Sequence, residues 1–309
     1  MAELIGYILT IDAIFTWALA SLVYKWGLKR TEPKANLFFR LCCTSIGTFI
    51  FSLIFGNYLF FSNFSPQNLT DYLIACIVSG LSVTIGDLLY YMSLKKIEAS
   101  RTYPLVQLSL IFVIFYSVIF LGETITFSII IGGALIISSV FILSSKDRAE
   151  KTDASLKERI SEDLIVGVFL AIGVAFFWAI AYVSLNQARL IGGDLFVSNF
   201  FRVGFGTITI AIFAIFKKEY YAGFKKENRN NLKYFIYIGI AGILSLGFAD
   251  AIYIKAAEIN GLVITSTFTA NTPMVQQILS ILILKEKFRK RFLVAVILII
   301  IGNYMIILL

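Results

Sequence analysis

The amino-acid sequence predicts an all-α membrane protein in which ten transmembrane helices form two inverted five-helix repeats. Three observations carry this expectation. Of the 309 residues, 59% are hydrophobic and only 15% charged, with a mean hydropathy of +0.85, whereas a soluble domain has roughly 45–50% apolar and about 25% charged residues. The apolar residues fall into runs of the roughly 20 residues that cross a bilayer as a helix. A set of aromatic and ionisable residues also recurs once along the chain at a nearly constant offset.

The spans follow from apolar length bounded by charge. Span 1 covers 4–24; it is too long, and too poor in N-terminal basic residues, for a removable signal peptide. Trp26, just beyond it, reads as an interfacial anchor. Span 2 (36–56) follows Lys29, Arg30 and Lys34 and carries Arg40, and span 3 (72–93) carries Asp87 and stops at Lys95 and Lys96. Span 4 (99–121) contains Pro104 and ends at Leu121-Gly122-Glu123, and span 5 (125–144) is wholly apolar or small-polar. Residues 146–163 hold five basic and six acidic residues and read as a solvated cytoplasmic linker between a first unit, 1–145, and a second, 164–309. Spans 6 (164–186), 7 (195–216), 8 (233–256), 9 (262–284) and 10 (292–309) complete the second unit, with Arg202 in span 7, Asp250 in span 8 and Pro273 in span 9.

The connections after spans 1, 3, 5, 7 and 9 hold 23 of the 27 Lys and Arg residues, and the opposite side holds only Arg189 and Lys255. By the positive-inside rule both termini are expected outside the cytoplasm. The net charge of +8 therefore reflects topology and not nucleic-acid binding. The chain has no His, and Cys42, Cys43 and Cys76 lie inside apolar segments without metal-ligand spacing. Disulfide frameworks and histidine-ligated metal sites drop out, and no cofactor is expected.

Gly6, Phe15, Trp17, Ala18 and Ala20 recur as Gly167, Phe176, Trp178, Ala179 and Ala181; Phe38-Phe39-Arg40 as Phe200-Phe201-Arg202; and Asp87, Tyr90 and Glu123 as Asp250, Tyr253 and Glu286. Five spans per unit is an odd number, so the second unit enters the membrane upside-down, a plan of secondary transporters with a site near the midplane. These residues resemble the EamA family of the drug/metabolite transporter superfamily. The resemblance spans essentially the whole chain, through Phe15-Thr16-Trp17-Ala18 with Lys25, Phe177-Trp178-Ala179, the Phe-Phe-Arg openings and the endings Leu121-Gly122-Glu123 and Leu284-Lys285-Glu286. The family's mid-helix proline is present as Pro273, but Leu110 stands at the aligned position of the first unit. Family members commonly have cytoplasmic termini, the reverse of the charge count here.

Five ionisable residues lie well inside spans: Asp12, Arg40, Asp87, Arg202 and Asp250. Each costs roughly 2.5–3.5 kcal/mol on insertion scales, so each is expected to face the bundle interior and find a partner. Two symmetry-related ion pairs are expected, Arg40 with Asp87 and Arg202 with Asp250, one near each mouth of a central cavity. They act either as gates or as static ties between helices. Asp12 has no acidic counterpart, since Gly173 takes its place. With no histidine available, a buried carboxylate there is the candidate proton-coupling site, or else a partner for a polar neighbour.

In span 9, Thr265, Thr269, Thr272, Gln276 and Ser280 share one helix face, with Asn271 and Gln277 flanking it; Thr102, Ser109 and Ser117, beside Gln107, match part of that face in span 4. The face either lines a wet cavity or bonds helix to helix. Trp17 and Trp178, with Tyr90 and Tyr253, either wall that cavity for an apolar or cationic solute or simply pack. An intramembrane aspartyl protease would need both membrane aspartates at one water, and they are expected near opposite faces. No phosphate loop or zinc motif appears.

The expected function is a secondary carrier for a small organic solute, moving it by alternating access. The resemblance implies an exporter of amino acids, related metabolites or drugs in a prokaryotic cytoplasmic membrane. Protons are the candidate coupling ion, and lipid movement is the main alternative.

Overall fold

The computed structural model describes residues 2–97, 102, 105–144, 154–284 and 291–308. Among them the chain is helical, with no strand. This follows from the solvent: in hydrocarbon every backbone N–H and C=O must be satisfied within its own segment, and a helix does that. Six stretches are long and apolar enough to cross a membrane, Glu3–Gly27, Pro33–Phe55, Pro66–Lys96, Glu162–Leu190, Leu195–Phe216 and Asn228–Asn260, and three shorter apolar helices are present, Ser109–Leu121, Phe127–Ser139 and Leu293–Ile306. The protein is an integral, multi-pass membrane protein.

Helices α1 (Ala2–Gly27), α2 (Pro33–Phe55) and α3 (Pro66–Lys96) match spans 1–3. Pro33 and Pro66 sit in first turns, where a missing N–H costs nothing, and Ser65 Oγ accepts from Asn68 N at 3.1 Å. Helices α4 (Ser109–Tyr116, continued by a π turn Ser117–Leu121) and α5 (Phe127–Ser144) end the first half. Helix α6 (Ala154–Leu190) starts ten residues before the expected span 6, so part of the expected linker is helical. Residues 154–163 hold Leu, Lys, Glu and Arg and no Gly or Pro, a composition that continues a helix. Helix α7 (Leu195–Phe216) is capped by Asp194 Oδ1, which accepts from Phe196 N (2.9 Å) and Val197 N (3.0 Å).

Span 8 is one path made of α8 (Leu232–Gly242), a π segment (Ile243–Ala249) and α9 (Asp250–Asn260). Span 9, which holds Pro273, is broken into α10 (Leu262–Thr269) and α11 (Thr272–Leu284); α12 (Arg291–Leu308) follows. Pro273 causes the break. It has no N–H for the carbonyl of Thr269, four residues back, and that oxygen instead accepts from Thr272 Oγ1 at 2.5 Å. Asn271 Nδ2 donates to Phe268 O (2.7 Å) and to Asn303 Oδ1 (2.9 Å), which ties the break to α12. Span 4 turns at Gln107–Leu108, the positions that align with Ala270–Asn271, although Leu110 replaces the proline. Pro104, Lys285 and Glu286 lie outside the described residues.

Helices α2 and α7 run antiparallel. Phe55 meets Phe196, Phe49 meets Phe200, and Ser45 Oγ lies 2.7 Å from Thr207 Oγ1. Helices α3 and α7 cross backbone to backbone: a Cβ on Gly80 would fall 2.2 Å from Arg202 O, and one on Gly206 would fall 2.9 Å from Gly80 O. Among the described residues, the connections after spans 1, 3, 5 and 7 gather at one end of the bundle through the ion pairs Glu32–Lys95, Lys34–Glu219 (2.5 Å) and Lys96–Asp163 (2.6 Å). At the other end Asn260 Nδ2 donates to Glu3 O, and Glu123 accepts from the N–H groups of Leu262 and Val263 at 2.9 Å each.

Candidate functional site

Arg40 is paired with Asp87 and Arg202 with Asp250, and all four residues are buried. The two expected pairs are therefore brought together. Each carboxylate has a second donor that the sequence reading missed. Trp178 Nε1 donates to Asp87 Oδ1 at 3.2 Å, and Trp17 Nε1 donates to Asp250 Oδ1 at 3.0 Å. The arginine comes from the same half of the chain as its aspartate, and the tryptophan from the other half. Repeat-related positions supply all six groups.

Local structure explains how the groups are held. The side chain of Trp178 lies over Gly86, where a Cβ would stand 2.5 Å from Cδ1 of the indole. The stem of Arg40 lies against Gly242, where a Cβ would be 2.4 Å from Cγ. Its guanidinium sits over the rings of Tyr24 (5.2 Å) and Tyr91 (5.4 Å), cation–π contacts that help to replace lost hydration. Asp250 directly follows the π segment. Two carbonyls of that segment, Leu246 O and Gly247 O, accept from Asn199 Nδ2 at 3.0 and 2.8 Å.

A cavity of about 80 Å³ lies between the halves, lined by Trp17, Ser21, Tyr24, Arg40, Asp87, Tyr90, Gln107, Ser109, Trp178, Tyr182, Ser245, Asp250, Tyr253, Ser266, Thr269 and Thr272, with apolar residues between them. That is far below the roughly 300–1,000 Å³ of ligand pockets. Its aromatic walls also follow the repeat: Trp178 lies 5.2 Å from Tyr90, and Trp17 lies 5.4 Å from Tyr253. Tyr182 adds a third ring beside Tyr253 at 4.8 Å. Tyr24 Oη and Ser245 Oγ, and Tyr253 Oη and Ser266 Oγ, lie 2.6 Å apart.

Three expectations are corrected. The ion pairs do not stand at separate mouths, since Arg40, Asp87 and Asp250 border one cavity. Arg40 and Arg202 lie seven residues into antiparallel helices, about 10 Å at 1.5 Å per residue, so each stands about a third of the way into a core of about 30 Å and not at its surface. Asp12 does not face the interior. It is exposed on the outer face of α1 with Ile5, Ile8, Phe15 and Leu19, at helical steps of three and four. Asn271 and Gln276 are buried but lie outside the cavity lining, Asn271 being held by the span 9 break. Trp17, Trp178, Tyr90, Tyr253, Gln107, Ser109 and Thr272 do line it.

Tyr182, in the cavity wall, and Asn199, outside it, carried faint signals: Tyr182 is one turn beyond Trp178, and Asn199 is one turn before Arg202. Ser245 and Ser266 gave none beyond being hydroxyls in apolar spans.

A polytopic helical protein with ion pairs at a central cavity is the class that this fold and site define. The chain matches the EamA-like transporter family twice, over residues 4–145 and 165–308. It belongs to that family, and so to the drug/metabolite transporter superfamily. It is 26% identical over 187 residues to an uncharacterized transporter of Archaeoglobus fulgidus, the alignment spanning 58% of this chain and 58% of that protein. A solved crystal structure of a protein superposes with a TM-score of 0.70 at 13% identity, covering 98% of this chain and 96% of that one, and so shares the fold.

Proposed function

We propose that the protein is a secondary carrier that moves a small organic solute through its central cavity by alternating access, as a pair of inverted five-helix repeats. The observation that carries the reading is the crossed wiring of the two carboxylates. Each is held by an arginine of its own half and a tryptophan of the other. Opening the cavity to one side separates the halves there and releases one indole, while the other remains bound. A solute with polar or charged groups replaces the released donor, so binding and opening are coupled. The small cavity and its continuous aromatic and hydroxyl lining suit an occluded state between the two open ones. Amino acids, related metabolites and drugs are the solutes that the family suggests, and export is the direction; exchange and proton coupling are the candidate energy sources.

Release from proteoliposomes loaded with amino acids, polyamines, sugars and organic cations, read by mass spectrometry with and without a pH gradient, tests this. Selective loss of a few compounds is expected, and abolished loss in Asp87→Asn and Asp250→Asn. Folded protein that releases nothing, but scrambles labelled lipid, overturns it.

A further inference from the structure

A second, larger hollow lies outside the central site, on the membrane-facing side between α3, α4 and α6. Its volume is about 640 Å³, within the range of small-molecule pockets. One end is polar: Asp71, Ser184 and Gln187 line it. The carboxylate of Asp71 accepts from Gln67 Nε2 at 3.0 and 3.1 Å and has no cationic partner among the described residues. Neither the Ser184 hydroxyl nor the Gln187 amide has a side-chain partner among the described residues. The walls beyond are apolar, with Ile74, Val78, Phe120 and Ile180; Ile74, Val78 and Phe120 are exposed in the bundle.

The polarity of the groove follows depth. Asp71 lies five residues into α3, and Gln187 lies three residues before α6 ends. Val78 and Ile180 are each seven residues deeper on the same helices, about 10 Å at 1.5 Å per residue. A polar end at headgroup level above an apolar trough has the shape of one phospholipid, head outward. The polar groups select the head. An unneutralised carboxylate favours a primary ammonium, which donates short charge-assisted bonds. It repels a purely anionic head, and a trimethylated one has no N–H to give. The hydroxyl and amide are placed to donate to phosphate or ester oxygens.

We propose that this groove binds one aminophospholipid, a phosphatidylethanolamine-type lipid with its ammonium on Asp71. The inference does not depend on the transport reading. Delipidated full-length protein, titrated with phosphatidylethanolamine, phosphatidylcholine or phosphatidylglycerol of matched chains and read by native mass spectrometry, tests it. One saturable phosphatidylethanolamine adduct is expected, held at least about fivefold more tightly than the other two. Asp71→Asn should bring the three lipids level. Val78→Trp fills the trough and should remove the adduct, whereas Phe213→Trp, on the exposed face of α7, should keep it. Should Val78→Trp fail to fold, Asp71→Asn decides alone. Equal binding of the three lipids by the wild type, or an unchanged preference in Asp71→Asn, overturns the proposal.

Discussion

Asp250 holds an arginine through one oxygen and an indole through the other, so the two donors can be removed separately. Trp17→Phe keeps an aromatic ring, though a smaller one, and deletes the N–H. The loss should be about 1.5–3 kcal/mol, the range for hydrogen bonds to charged groups, and transport should fall while the fold persists; thermal unfolding and solute release read the two. Arg40→Ala leaves Asp87 buried without its counter-charge and should destabilise by about 3–5 kcal/mol. The exchanged pair Arg40→Asp with Asp87→Arg should recover part of that, and no recovery in any exchange would show that pairing is not what matters. Asp12→Asn is the contrasting case. Asp12 faces outward, so transport under a pH gradient should be unchanged and the melting temperature should not fall.

The breaks and π segments decide where side chains point. Asn199 serves the carbonyls of Leu246 and Gly247 just before Asp250. Asn199→Leu removes both of these buried bonds, at a cost of about 1–3 kcal/mol, and should loosen Asp250 as well; hydrogen exchange of residues 243–250 reads both. Helix existence and the ion-pair partners were legible because charge is scarce in this chain and each buried charge needs an opposite one. The break at Pro273 was legible for a similar reason, since proline lacks the donor that a helix requires. The break at Gln107–Leu108 was legible only roughly, from Pro104 three residues earlier, because no proline stands at the aligned Leu110 to place it. The outward position of Asp12 was available from helical phase alone, five residues before Trp17, but chain asymmetry pointed to a coupling role instead.

The described basic connections, after spans 1, 3, 5 and 7, share one end of the molecule, and Glu3 lies against Asn260 at the other. With the basic end in the cytoplasm, reporters fused to either terminus should be active only outside it, and a cytoplasmic signal from both would reverse the orientation. That the chain is a two-fold repeat was readable from residue offsets, which act over the whole chain. The depth at which the two ion pairs meet was not, because it depends on how antiparallel helices overlap and no single span records that.

The crossing of tryptophans between halves has a genetic consequence. A gene cut between codons 145 and 164 yields two products, each with its Arg and Asp but with the indole for that aspartate on the other. Neither fragment alone carries a complete centre, so activity should require co-expression. Intragenic suppressors of a lesion at Trp17 should accumulate around Asp250, in the half of the gene that the lesion does not touch.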